Sequence, residues 1–188
     1  HVQAGARPEL NLVEVFPGFS SGKSSFEGVW LAFQVEPLGM LYALVASILW
    51  IPTSMYAIGY MRGHNEDNQT RFFACFAMAI FAALGIAFAK NLFTLFLFYE
   101  VLTLSTYPLV THYGNAEARR AGRIYMGILL TTSVAFLLLG VVGTYYFAGT
   151  TDFKLGGILN GRVHAWQAVI LLALYAFGTG KAALMPFH

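Results

Sequence analysis

Charge is what this chain has least of. Only 11% of its 188 residues are Asp, Glu, Lys or Arg, under half the roughly 25% of an ordinary soluble domain. So few charges cannot cover a water-facing surface, which excludes a soluble globular enzyme. The charges also nearly cancel, to a formal +2, and the lysines and arginines lie in loops rather than along one face. That excludes a basic nucleic-acid surface. Cysteine is nearly absent as well. The single Cys75 permits no intrachain disulfide and no thiolate cluster, and its place in an apolar run predicts a buried, inert thiol. The five histidines, at positions 1, 64, 112, 164 and 188, are never three or four residues apart. No helical face therefore carries two of them, and no metal site is expected within the chain. His64 and His164 read as loop or interfacial residues. Nothing here suggests a ligand set for flavin, iron or haem, so no cofactor is expected in this chain.

Two further absences concern the first residues. No basic segment followed by an apolar one precedes residue 30, so no signal peptide is expected. The stretch Gly18-Phe-Ser-Ser-Gly22-Lys23-Ser24 imitates a phosphate loop, but the spacing that loop needs puts its first glycine at position 17, which is proline. Nucleotide binding is set aside on that ground. The chain starts with His1 and stops at His188 just after a proline, as expected of a piece of a longer protein.

What is present in abundance is apolar sequence, 57% hydrophobic and 16% aromatic residues. This composition identifies an integral membrane protein. Residues 1–32 are mixed, with Pro8, Pro17 and a Gly/Ser stretch, and are expected to form an extramembrane loop with short structure. Residues 33–188 carry five apolar segments, about 37–60, 72–89, 91–111, 124–147 and 165–184, each near the roughly 20 residues that cross a bilayer. Tyr60, Tyr113, Tyr145, Tyr146 and Trp166 fall at segment ends, as interfacial aromatics do. The second and third segments are joined only through Lys90 and Asn91 and are expected to pair antiparallel. The fold class expected is an all-α polytopic membrane helix bundle.

Loop charges give a near tie for orientation. Arg62, Arg71, Arg119, Arg120 and Arg123 lie on one side, and Arg7, Lys23, Lys90, Lys154 and Arg162 on the other. The triple-arginine cluster favours the first side as cytoplasmic.

Within the apolar runs, Glu100 is the outlier. A carboxylate at the centre of a membrane helix costs about 2.5–3.5 kcal/mol or more, so it normally faces a protein interior or a water path. Counting from Asn91, it lies roughly 13 Å into a core about 30 Å thick. One reading is a protonated carboxyl hydrogen-bonded to Thr103, Ser105 or Thr106. The other is a titratable group whose ionisation follows the movement of a nearby cation. Lys181 is the candidate cation. It follows Gly178-Thr179-Gly180 and precedes Pro186, and glycine and proline within a membrane helix mark a place where regular hydrogen bonding is interrupted. A lysine snorkelling to the interface is the plainer alternative. Glu36 and Lys90 read as interfacial, and Thr131, Thr132 and Ser133 as small helix-contact residues.

These residues carry a resemblance. Asn91-Leu-Phe-Thr-Leu-Phe-Leu-Phe-Tyr-Glu100-Val-Leu-Thr-Leu-Ser-Thr-Tyr107-Pro-Leu-Val, then Arg119-Arg-Ala-Gly-Arg-Ile-Tyr125, then Gly180-Lys181-Ala-Ala-Leu-Met-Pro186-Phe-His188, resemble the antiporter-like membrane subunits. That family includes the proton-channel subunits of respiratory complex I, subunits A and D of multisubunit sodium/proton antiporters, and membrane subunits of energy-converting hydrogenases. The resemblance implies that the five segments match helices three to seven of about fourteen, in a fold of two inverted five-helix repeats. It further implies a proton relay between Glu100 and Lys181, with the latter on a helix broken around Gly178, Gly180 and Pro186. The function implied is a proton-translocating subunit of a complex I-type NADH:quinone oxidoreductase, a redox-driven pump with no redox centre in this chain. The alternatives are a subunit of a multisubunit sodium/proton antiporter and a non-transporting membrane scaffold. The partners implied are other membrane subunits, the lipid bilayer, and protons or sodium ions, with no nucleic acid. The location implied is a bacterial or archaeal inner membrane.

Overall fold

The computed structural model describes residues 8–21 and 24–179. Four strands come first: β1 (Glu9–Phe16), β2 (Phe19–Ser21), β3 (Ser24–Phe26) and β4 (Val29–Gln34). They are followed by helices α1 (Pro37–Gly63), α2 (Gln69–Ala87), α3 (Leu92–Val110), α4 (Ala116–Thr132), a π-helical turn (Ser133–Leu138), α5 (Leu139–Ala148) and α6 (Ala165–Gly178).

The segment expected as a loop is a long antiparallel hairpin in two parts. β1 pairs with β4 from Glu9↔Gln34 to Phe16↔Val29, with register shifts between Asn11 and Val13 and between Glu14 and Phe16. β2 pairs with β3 at the tip. Those shifts break the two-residue alternation that signals a strand, which is why the sequence reads as irregular. The hairpin is anchored to the bundle along β4. Gln34 N–H donates to the Phe88 carbonyl at 2.8 Å and Lys90 N–H to the Ala32 carbonyl at 3.0 Å. Its tip reaches α5: Glu27 N–H donates to the Gly149 carbonyl at 2.7 Å, and the Tyr145 hydroxyl donates to the Glu27 carbonyl at 2.9 Å.

Asn91 joins these parts. Its Oδ1 accepts from Thr94 N–H at 2.7 Å, capping α3, while its Nδ2 donates to the Trp30 carbonyl at 2.8 Å. A cap satisfies one of the amide groups that a helix start leaves without a partner. Asn91 and Thr94 are both fully buried, so one asparagine starts the helix and fixes the hairpin upon it.

The helices are apolar on nearly all sides. α1 exposes Leu38, Leu41, Leu44, Ile48, Ile51 and Met55, a distribution that suits lipid rather than water. Four helices, Pro37–Gly63, Gln69–Ala87, Leu92–Val110 and the continuous Ala116–Ala148, are long and apolar enough to cross a membrane, and Ala165–Gly178 is a shorter apolar helix. The fourth span starts earlier than the apolar run from about 124. The Asn115 side chain accepts from Ala118 N–H at 2.7 Å, and Glu117, Arg119 and Arg120 extend the helix as polar first turns. At 33 residues and a rise of 1.5 Å each, it is about 50 Å long, well beyond a hydrocarbon core of about 30 Å.

α2 and α3 form the expected antiparallel pair. Phe98 lies directly on Gly85, where a Cβ would strike the ring, and Phe81 meets Phe98 edge-on at 5.6 Å. At the far ends Phe72 faces His112 at 5.5 Å. α1 packs on α2 through Trp50 and Phe76, whose rings lie 4.6 Å apart, and through Gly39 against the Ala87 carbonyl. α6 leans on the π-helical turn and α5.

Candidate functional site

Glu100 is the ninth residue of α3, a 19-residue helix of about 28 Å, so the structure puts it midway along a spanning segment. Tyr107 and Thr111, seven and eleven residues further on, occupy the same stripe of the helix. Both lie against Gly122 of α4, where a Cβ would strike the Thr111 methyl. The absence of a side chain at Gly122 lets α3 approach α4 closely, and the Glu100 stripe therefore faces α4 rather than the Phe98 contact with α2.

The three hydroxyls proposed as Glu100 partners are engaged elsewhere. Thr103 donates to the Tyr99 carbonyl at 3.0 Å, Ser105 to Leu102 at 2.9 Å and Thr106 to Thr103 at 2.8 Å. Glu100 Oε1 is enclosed with no hydrogen-bond partner among the described residues. The local reading, a protonated carboxyl hydrogen-bonded to one of these hydroxyls, is not met: each bonds back to a carbonyl three or four residues earlier, as Ser and Thr in helices do, and none is bonded to Glu100. An enclosed carboxylate oxygen without a donor is costly and calls for a partner beyond α3.

Gly180, Lys181 and Pro186 lie outside the described residues. Gly178 lies within them and ends α6 against the π-helical turn: a Cβ there would lie 2.6 Å from Leu137 Cα. Phe177 and Phe136 pack beside this contact at 6.0 Å, and the Tyr175 and Thr144 hydroxyls share a hydrogen bond of 2.8 Å. A π-turn inserts an extra residue into the helix and occurs frequently at functional sites. Thr132 and Ser133 are buried where it begins, as helix-contact residues should be, whereas Thr131 is exposed.

Two charged clusters flank the bundle. At the hairpin end, Lys90 Nζ lies 2.6 Å from Glu9 Oε2 and 3.9 Å from Asp152 Oδ2. It is thus a tie between β1, the α2–α3 turn and the loop after α5, more than an interfacial residue. Burial raises the Asp152 carboxyl above the usual aspartate range, and Lys90 draws it only partly back. A hydrogen bond from Thr150 lowers Glu27, helped by Lys154, whose Nζ lies 3.5 Å from Glu27 Oε1. At the opposite end, His112 Nε2 lies 3.8 Å from Glu66 Oε2. No group of three or more His, Cys, Asp or Glu side chains is arranged to hold a metal among the described residues. Cys75 is half-buried rather than fully buried.

Residues 89–188 match the transmembrane family described as NADH:quinone oxidoreductase/Mrp antiporter. This stretch begins at the α2–α3 turn and includes Glu100 and the residues beyond α6. The chain belongs to that family. It is therefore an integral membrane protein of the antiporter-like class, in keeping with its polytopic helix bundle. Among curated relatives it is 29% identical over 161 residues to a Staphylococcus haemolyticus protein named as antiporter subunit mnhA2, covering 84% of this chain and 20% of the relative. Proteins of the same name from Staphylococcus epidermidis and Staphylococcus aureus are each 26% identical, over 162 and 159 residues, covering 84% and 82% of this chain and 20% of each relative. The chain thus spans about a fifth of the length of the relatives it matches.

Sequence reasoning missed the Glu66–His112 pair. The one signal for it was His112 itself, a titratable ring ending the run that holds Glu100.

Proposed function

We propose that this chain is the part of a multisubunit cation/proton antiporter subunit that carries the first element of a proton path, in a bacterial inner membrane. Glu100 is the proton-binding carboxylate of that path and Lys181 its cationic partner. The observation that carries the reading is Glu100 itself: mid-span on α3, its Oε1 enclosed without a donor among the described residues, in a chain whose curated relatives are named as antiporter subunits. That naming favours cation/proton exchange over the redox-driven pumping of a complex I-type oxidoreductase, which the same family also contains.

In this reading, a lysine near Glu100 holds the carboxyl ionised, and a lysine that moves away lets it take a proton. The carboxyl thereby couples proton binding to rearrangement of a neighbouring cation. The rest of the subunit, together with other membrane subunits, supplies the remainder of the path and the cation route.

The test uses the full-length protein in its assembly, reconstituted in sealed vesicles. An imposed sodium gradient should drive proton movement with no electron donor or quinone present. Proton movement only during electron transfer would overturn the antiporter reading in favour of a redox-driven pump.

A further inference from the structure

The end of the bundle opposite the hairpin holds a second titratable pair in an enclosed setting. Glu66 sits in the short α1–α2 connection, where its N–H donates to the Met61 carbonyl at 3.0 Å. Gln69 Nε2 donates to the Glu66 carbonyl at 3.0 Å. Asn65 and Asn68 on either side adopt positive φ, 50° and 57°, a conformation asparagine tolerates better than most residues. The connection is thereby folded back so that the Glu66 carboxylate turns toward the end of α3. There His112 presents Nε2 at 3.8 Å, within ion-pair range and beyond hydrogen-bond length, and its side chain is only 10% exposed. Its other nitrogen, Nδ1, is enclosed with no partner among the described residues.

Both groups line a cavity of about 340 Å³, with Tyr56, Tyr60, Phe72 and Phe76 among its walls. This is room for several waters at about 30 Å³ each. The groups that face His112 divide by sign. Glu66, from the α1–α2 connection, favours the imidazolium. Arg71 of α2 opposes it, its Nη2 donating to the His112 carbonyl at 3.3 Å. Phe72 offers a ring edge from α2, Tyr60 and Tyr56 of α1 line the same cavity, and Tyr113 packs beside the imidazole at 6.1 Å.

A neutral imidazole has one N–H and one lone pair. Nδ1 is sealed from solvent, so Nε2, the nitrogen that faces the Glu66 carboxylate, is the one left for exchange with cavity water. We propose that the Glu66–His112 pair is a proton-exchange site, at which a proton from cavity water reaches His112 Nε2 beside the Glu66 carboxylate, which balances the imidazolium. The pair loads the Glu100 path from this end of the membrane domain. Thr111 and Tyr107 place hydroxyls on the α3 stripe between them, and twelve residues at 1.5 Å make the span about 18 Å. The inference rests on the antiporter reading and adds to it the place where protons enter or leave.

The experiment is sodium-driven proton movement by the full-length assembly in vesicles, measured from about pH 6 to pH 9, the range that brackets histidine titration. With His112→Gln the half-maximal proton concentration should rise about tenfold, one pH unit, so that rate is lost at alkaline pH and regained on acidification. Glu66→Gln removes the charge that favours the imidazolium and should shift the profile the same way by a smaller amount. It keeps the imidazole in place and carries the test alone should the histidine variant not accumulate. A wild-type pH profile in assembled Glu66→Gln and His112→Gln proteins would overturn this inference while leaving the antiporter reading standing. Absence of sodium-driven proton movement in the wild type would overturn both.

Discussion

Asp152 shows how a single residue can be placed at a cost. Burial raises its carboxyl in the folded protein above its unfolded value, so its ionised form is disfavoured by folding. The resulting penalty is absent below the unfolded value and grows as pH rises through the raised one. Glu27, lowered by its Thr150 hydrogen bond, acts with the opposite sign: it stabilises above its unfolded value and loses that contribution as pH falls through the depressed one. Asp152→Asn removes the penalty without leaving Lys90 unpaired, because Glu9 remains at 2.6 Å. The full-length variant should melt at or above the wild-type temperature at pH 7, and the difference should vanish below about pH 4. A clear loss of stability at pH 7 would show that the 3.9 Å contact to Lys90 outweighs burial. At this scale Glu100 was legible, because a carboxylate in an apolar run stands out on its own. The Glu66–His112 pair was not, since its members are far apart in sequence and meet only once α2 and α3 fold antiparallel.

Elements were legible where hydrophobicity decides them. Each of the five apolar segments holds a helix: α1, α2, α3, the run from α4 through α5, and α6. Their ends drifted where polar caps rather than apolar content set the limit: α4 begins at Ala116 because Asn115 caps it, eight residues ahead of the apolar run. The hairpin escaped notice because its bulges erase the alternation. The π-turn at Ser133–Leu138 leaves no trace in a hydropathy pattern. The tightest helix pair, α2 with α3, depends on Gly85 lying under the Phe98 ring. Gly85→Val should force the ring off its position and destabilise the full-length protein by about 1–3 kcal/mol, the usual effect of overpacking a close contact. Thermal unfolding in detergent checks this, and an unchanged melting temperature would show that Phe98 has room to turn aside.

At the scale of the molecule, the described residues form an apolar helix bundle with one carboxylate at mid-span. Spanning helices surround a carboxylate whose own helix offers it no donor, and ionic clusters close the bundle at either end, Lys90–Glu9–Asp152 below the hairpin and Glu66–His112 opposite. The family was legible from Glu100 and its flanking residues. The choice between redox pump and antiporter was not, because Glu100 and its flanking residues are motifs that both kinds of subunit share.

The central claim is that Glu100 binds the transported proton. Glu100→Gln keeps the side chain's size and removes its charge, so the direct measurement is sodium-driven proton flux by the full-length variant in sealed vesicles, with assembly confirmed. The account predicts a fall of about a hundredfold or more, the scale of losing a positioned proton-transfer group. Wild-type flux from the fully assembled variant would contradict it.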